Sequence, residues 1–386
     1  MERIYLDHAA TSPLHPDTLE AMMPYLTEVF GNPSSIHHTG RRARQALDEA
    51  RAVIATELNV APSTILFTGG GTEADNLALL GYAEANQHKG RHIITSKVEH
   101  HAVMHACKQL EQLGYEVTYL PVDQTGKIRI EDFYAALRPD TVLVSLMLGN
   151  NEVGTLQPVQ EVGLSLRDHQ AVLHTDAIQA AGSVDLSIHQ LQVDMLSVSA
   201  HKLNGPKGVG FLYVAEGITV APYSFGGEQE RKRRAGTENV AGIKGLAESF
   251  RRACQERVEK NEQYNSYAEQ FSAILKQQGI DFYINGHSTE KLAHILNLSF
   301  PNVNVESMLV NLDLAGIEAS SGSACTAGSI EPSHVLTAMF GEGTERAKTA
   351  IRYSFGLGND LSEIEKAAYE TAKIVKRFQQ QQPFIV

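Results

Sequence analysis

Ile65-Leu66-Phe67-Thr68-Gly69-Gly70-Gly71-Thr72-Glu73-Ala74-Asp75 runs from an apolar stretch through a triple glycine into a helix-like segment. That order reads as a strand turning into a helix, the unit from which a parallel sheet with covering helices is built. Glycine lets the backbone approach an anion, and a helix N-terminus offers free N–H groups and a favourable dipole, so the turn is also a phosphate seat. Its spacing matches neither of the common nucleotide-binding glycine patterns, and glycine-rich turns are often only turns.

The same alternation extends downstream. His92-Ile93-Ile94-Thr95 precedes a helix over 102–113, and Val117-Thr118-Tyr119-Leu120 follows it. Further apolar runs are 142–147, 171–175, 195–199 and 210–214. Strands alternating with helices imply an α/β domain with a mostly parallel sheet covered on both faces. Upstream, Ile4 to Asp7 reads as a short strand, Pro16-Asp17-Thr18 opens a helix, and 41–58 has helical spacing at Ala43, Leu47, Ala50 and Ile54. A long polar helix from about Thr237 to Lys276 links two domains. Beyond it, 295–300 alternates as a half-buried strand and 349–354 is another, giving a smaller α+β domain. The tail 379–382 reads as a frayed helix end.

With 386 residues the chain exceeds what one core usually serves, which predicts two domains. A formal net charge of −12 argues against binding a nucleic-acid backbone over a broad face. The run Arg231-Lys232-Arg233-Arg234 is a local exception, and such runs are usually solvated faces. No stretch resembles a leader peptide and no run of about 18 apolar residues occurs, so the expectation is a soluble cytoplasmic protein away from membranes. Cys107, Cys254 and Cys325 lie too far apart for a local disulfide framework or a Cys-x-x-Cys site, and a reducing compartment fits.

Ser199-Ala200-His201-Lys202 follows one apolar run, and Asp176 ends another. A lysine amine with a carboxylate opposite suits pyridoxal phosphate, whose aldehyde needs an amine and whose ring nitrogen needs an anion to stay protonated. Asp176 and Gln179 are three residues apart at a strand end and can face one crevice at the sheet's carboxyl edge, where Asn151 also belongs. His100, just after a strand, is suited to stack on a planar cofactor and relay protons, with a structural histidine as the competing reading. His101 and His105 are four apart on a helix, but a third ligand at metal spacing is missing, so no metal is predicted. Arg352 interrupts the apolar run Ala350-Ile351-Arg352-Tyr353-Ser354, where a guanidinium needs an anion: a substrate carboxylate, or a structural salt bridge. Cys325 sits in the small-residue run 320–328, a setting for a mobile thiol, so a lysine-held cofactor acting on a sulfur substrate is the combined expectation.

Taken in order, Tyr5 to Thr11, Gly31-Asn32-Pro33-Ser34-Ser35, Gly71-Thr72-Glu73, Glu99-His100, Asn151-Glu152-Val153-Gly154, Asp176 to Gln179, Ser199 to Lys202, Arg234-Ala235-Gly236-Thr237, Ser321 to Cys325 and Ile351 to Ser354 resemble the class V, fold-type I pyridoxal-phosphate enzymes. The resemblance is closest to the NifS/IscS-type cysteine desulfurases of the group I kind, and it covers essentially the whole chain. It implies a large domain over 14–255 with a mostly parallel seven-stranded sheet, and a small domain of 1–13 and 256–386 carrying a cysteine loop at about 320–333. It implies that Lys202 holds the cofactor as a Schiff base, His100 stacks on the ring, Asp176 pairs with its nitrogen and Gln179 with its oxygen. Gly71, Thr72, Ser199 and His201 would hold the phosphate, with Thr237 reaching the cofactor of a second subunit in a homodimer. Asn32, Asn151 and Arg352 would bind L-cysteine, and the Cys325 thiolate would take its sulfur as a persulfide, leaving alanine. The sulfur would pass to an acceptor protein of iron–sulfur cluster assembly or tRNA thiolation. The short C-terminus departs from relatives whose extended tail docks a scaffold, which leaves the acceptor open. Rival readings are a small-amino-acid aminotransferase, for which Cys325 is superfluous, a selenocysteine lyase, and an inactive partner-binding scaffold, which would have lost Lys202, Asp176 or Arg352.

Overall fold

Seven apolar runs become the strands of one sheet: β1 (Ile65–Thr68), β2 (His92–Ser96), β3 (Glu116–Leu120), β4 (Thr141–Ser145), β5 (Val172–Asp176), β6 (Met195–Ser199) and β7 (Gly210–Val214). The structure, a computed structural model, describes residues 3–321 and 332–380. The strand order is β1-β7-β6-β5-β4-β2-β3, and every neighbouring pair is parallel except those made by β7. All but the edge strand β3 are buried along their whole length, which is why they read as continuous apolar runs. The apolar run 142–147 leaves the strand after Ser145, yet Leu146 and Leu148 still donate backbone hydrogen bonds to His174 and Asp176.

Helices cover the sheet. α1 spans Pro16–Thr27 and α2 spans His38–Leu58. The His37 ring caps α2 by accepting the Gly40 N–H, and Asn59 closes it in a left-handed conformation at φ 54°. α3 (Gly71–Asn76) follows the triple glycine and continues through a π turn, and α4 (His101–Gln112) follows β2. The predicted long helix is α5, Val240–Gln277. Its first half packs Ile243, Leu246 and Phe250 into the core of the large sheet, and its second half packs Tyr264, Tyr267, Phe271 and Leu275 into a separate apolar core.

That second core lies under an antiparallel sheet of β8 (Tyr283–Asn285), β9 (Ile295–Ser299) and β10 (Ala350–Ser354), with β9 central, and is completed by α6 (Leu361–Gln380). The chain's start returns to it, because Ile4–Tyr5 pairs in parallel with Ile317–Glu318. One expectation is corrected here: β9 is buried on both faces, not half-buried. Its polar residues face inward and are satisfied, since the Asn285 amide donates to Asn297 Oδ1 (2.8 Å) and Ser299 Oγ (2.7 Å), and Asn297 donates to the Glu152 carbonyl (3.1 Å). Alternation reports polarity, and polarity can be buried where partners are supplied.

Candidate active site

The carboxyl ends of β1, β2, β5 and β6 point the same way, so the turns that follow them meet at one edge of the sheet. There they border a cleft of about 390 Å³ lined by Gly71, Thr72, His100, Asn151, Asp176, Gln179, Ser199, His201, Lys202 and Arg352. An adjoining cavity of about 660 Å³ shares Gly71, Thr72, Ser199 and His201 and adds Lys207. The sequence-predicted residues from six segments therefore converge, and Arg352 arrives from the opposite side, on β10.

Lys202 ends a 3-10 turn directly after β6, and its ammonium donates to the carbonyls of Ala9 and Ala10 (2.8 Å to the latter). Burial and then the Arg352 cation push its pKa down to about 8, with Asp7 and Asp176 pulling the other way. About a tenth is thus a free, nucleophilic amine at pH 7, and about half at pH 8. Asp176 closes β5 with its Oδ1 accepting the Ile178 N–H at 2.9 Å, and burial raises its pKa against the pull of Lys202. Gln179 donates to the Ala9 carbonyl at 2.7 Å.

His100 is the N-cap of α4, where its Nδ1 accepts the Ala102 N–H at 3.1 Å. The ring proton therefore sits on Nε2. Burial, then Lys202 and the neighbouring His101, His334 and His105, lower its pKa to about 4, so it is a neutral donor. His201, also pushed to about 4 by burial and by Lys202 and Lys207, bonds Thr11 Oγ1 through Nδ1 (3.2 Å).

The glycine turn is a cradle. Gly70 has φ 145°, and a Cβ on Gly71 would come within 2.1 Å of Ile178 Cδ1. With Thr72, Ser199 and His201 beside these backbone N–H groups, the turn suits a phosphate. An amine, a buried carboxylate with no ion-pair partner in contact among the described residues, a neutral imidazole and an anion cradle together fit pyridoxal phosphate. Arg352 adds the complement for an amino acid's carboxylate: Nη1 donates to the Asn151 carbonyl (2.7 Å), Nη2 to Asp7 Oδ1 (2.9 Å), and buried Nε has no partner. Both readings offered for this arginine are thus present in one side chain, an ion pair and an open donor.

Two predicted residues are not brought to this cleft within the chain. Asn32 is exposed, with its side-chain Oδ1 accepting the Ser34 N–H, and Thr237 is exposed and lines neither cavity. Cys325 lies outside the described residues. The basic run is largely occupied by its own chain: Arg234 pairs with Glu73 (2.7 Å), Lys232 with Glu228 (3.0 Å), and Arg231 donates to the Ser63 carbonyl.

Sequence reasoning missed the acids behind the cleft. Glu99 is fully buried, receives the Ser96 hydroxyl at 2.6 Å and the Met147 N–H, and is pushed up to about 8 by burial. Asp75 and His174 are fully buried, with His174 Nε2 3.6 Å from Asp75 Oδ1. The signal for His174 was available, because it stands two residues before Asp176 and so shares its face of β5.

Comparison with known proteins agrees with this geometry. The Aminotransferase class-V family model matches residues 4–367. The Bacillus subtilis (strain 168) relative named IscS 1 is 56% identical over 98% of this chain and 100% of its own length. Cysteine desulfurase IscS of Dictyoglomus turgidum is 45% identical over 99% of this chain and 96% of its own. Among solved structures, a NifS-like protein superposes with a TM-score of 0.91 at 35% identity, covering 97% of this chain and 100% of the other.

Proposed function

The chain belongs to the class V aminotransferase family and is a cysteine desulfurase, and from that membership we propose how its own residues divide the work. Lys202 holds the aldehyde of pyridoxal phosphate, Asp176 faces the ring nitrogen, Gln179 the ring oxygen, and His100 lies over the ring. Gly71, Thr72, Ser199 and His201 hold the phosphate. Bound there, pyridoxal phosphate supplies an electron sink for the bonds at an amino acid's Cα. The single observation that carries this reading is a half-buried amine, its pKa lowered to about 8, in one cleft with a buried carboxylate and a half-free guanidinium.

L-Cysteine enters with its carboxylate on Arg352 and Asn151 beside it, and Asn32 closes the substrate site. The free Lys202 amine takes the Cα proton, and His100 holds a proton at Nε2 for transfer within the cleft. The Cys325 thiolate attacks the substrate sulfur: the S–S bond forms as the Cβ–S bond breaks, and the carbon keeps the electron pair and is protonated on the way to alanine. Sulfur leaves on Cys325 to an acceptor protein in iron–sulfur cluster assembly or tRNA thiolation.

The large domain is taken as 14–255 and the small one as 1–13 with 256–386, in keeping with the two apolar cores that α5 joins. A homodimer completes the site by bringing Thr237 to the partner's cofactor. Thr237 is exposed, and so are Phe30 (79%), Ile36 (91%) and Phe225 (86%), apolar surface that a second subunit would cover. No described helix is long and apolar enough to cross a membrane.

The test is cofactor-loaded protein with L-cysteine and no reductant, measuring alanine and locating added sulfur by intact mass and peptide mapping. Equimolar alanine and one extra sulfur on Cys325 are expected, both lost in Cys325→Ala. Undiminished alanine in Cys325→Ala would overturn the role of the thiol and favour thiol-independent chemistry of the aminotransferase kind.

A further inference from the structure

Close to Asp176, but not lining the cleft, α3 carries a second acid. Asp75 is 0% exposed, and among the described residues its carboxyl oxygens have no well-formed hydrogen bond beyond the Ser197 hydroxyl that faces them. A carboxylate oxygen of Asp75, one of Asp176 and a ring nitrogen of His100 all lie within 4.8 Å of one another. Two carboxylates this close and this dry do not both ionise. The groups facing Asp75 are Asp176 and His174 from β5, Glu99 and His100 from the turn into α4, and the Ser197 hydroxyl from β6. None offers a positive charge in the native state. His174 spends both ring nitrogens on hydroxyls, Nδ1 with Ser145 at 2.9 Å and Nε2 with Ser197 at 3.0 Å, and burial keeps its ring neutral.

The two acids are unequal. Asp176 accepts the Ile178 N–H and feels the Lys202 cation, both of which favour its charged form. Asp75 has neither. We propose that Asp75 is a positioning residue that holds the single proton of the Asp75–Asp176 pair, so that Asp176 stays a carboxylate for the cofactor's ring nitrogen. Burial, then the Asp176 and Glu99 charges, raise the Asp75 pKa, and the Ser197 hydroxyl only partly offsets them, which is consistent with that assignment. The role rests on the cofactor reading of the cleft, whereas the protonation of Asp75 does not.

The two parts are separated by experiment. Infrared difference spectra of cofactor-free wild type and Asp75→Asn at neutral pH are expected to show a protonated-carboxyl C=O band that the variant lacks. Absence of that difference band overturns the assignment, whatever the cofactor does. Pyridoxal phosphate affinity is then measured by equilibrium dialysis for wild type, Asp75→Asn and Asp75→Leu. Asn, neutral and of the same shape, keeps the contact with the Ser197 hydroxyl and is expected to match wild type, and Leu, which leaves that buried hydroxyl without this partner, to bind about tenfold more weakly. Altered affinity in Asp75→Asn, or unaltered affinity in a folded Asp75→Leu, overturns the role. Should Asp75→Leu not fold, the infrared band and Asp75→Asn still decide. Wild type that fails to retain pyridoxal phosphate would count against the cofactor reading and leave the infrared result standing.

Discussion

Arg51 and Arg352 are both nearly inaccessible, 6% and 4% exposed, and their surroundings could hardly differ more. Arg51, on α2, makes a two-pronged pair with Glu230 (2.7 and 2.9 Å), donates to the Ile65 carbonyl and lies 4.5 Å over the Phe67 ring. Glu230 is completed in turn by the Phe67 N–H at 3.0 Å. Both Nη atoms are engaged and the charge is fully paired, and the cluster clamps α2 and the 229–232 turn to β1. Arg352 spends one nitrogen on a carbonyl and one on Asp7, and keeps Nε open beside the cleft. A buried cation closed by a two-pronged ion pair holds a fold together, whereas one that keeps a buried donor without a partner has capacity for a ligand.

That contrast is broken or sharpened by exchanging the roles. Arg51→Ala leaves Glu230 buried and unpaired, so denaturant unfolding should show a loss of about 3–5 kcal/mol with KM for L-cysteine unchanged in whatever protein remains folded. Arg352→Gln should do the reverse. It removes the charge that meets the substrate carboxylate, and steady-state kinetics should show KM for L-cysteine up by about 10²-fold with a smaller change in unfolding. A large stability loss with normal KM would make Arg352 another Arg51.

The amine supplies a third test through pH. Because Lys202 titrates near 8, below the ordinary lysine value, its reactive neutral form grows with pH up to that point. Stopped-flow capture of pyridoxal phosphate by the cofactor-free protein should speed up by about tenfold per pH unit below 8 and level off above it. A rise continuing to pH 10 would mean that burial does not govern this lysine.

The smallest effect belongs to the cradle. Gly71→Ala drives a Cβ against Ile178 Cδ1, the far end of a side chain that can turn away. A cofactor-affinity loss of about 1 kcal/mol is expected, recovered by adding Ile178→Val, and equilibrium dialysis measures both.

Much of this was legible in the sequence, for a physical reason. Strands buried on both faces leave continuous apolar runs, and a charge or amide directly after such a run, as at Lys202, Asp176 and Gln179, stands at the sheet's carboxyl edge. Arg352 was legible because it breaks an apolar strand. The rest depends on partners far along the chain. Glu99 is completed by the Met147 N–H, Arg352 by Asp7, and β9 carries buried asparagine and serine whose partners come from β8 and the 150–154 turn. No local pattern records that a polar side chain will be met from elsewhere, so its burial reads as exposure. Asp75 stands in the helix-like segment after the glycine turn with nothing local to mark it, because its neighbours Asp176 and His174 lie about a hundred residues away.

The account turns on Lys202 as the residue that holds the cofactor, with Lys207 of the adjoining cavity as its nearest rival. Borohydride reduction of the pyridoxal-phosphate-loaded protein, followed by peptide mapping, reads this out directly. One cofactor mass per chain on the peptide containing Lys202, absent in Lys202→Ala, is the predicted result. The same mass on Lys207, or undiminished labelling in Lys202→Ala, would contradict it.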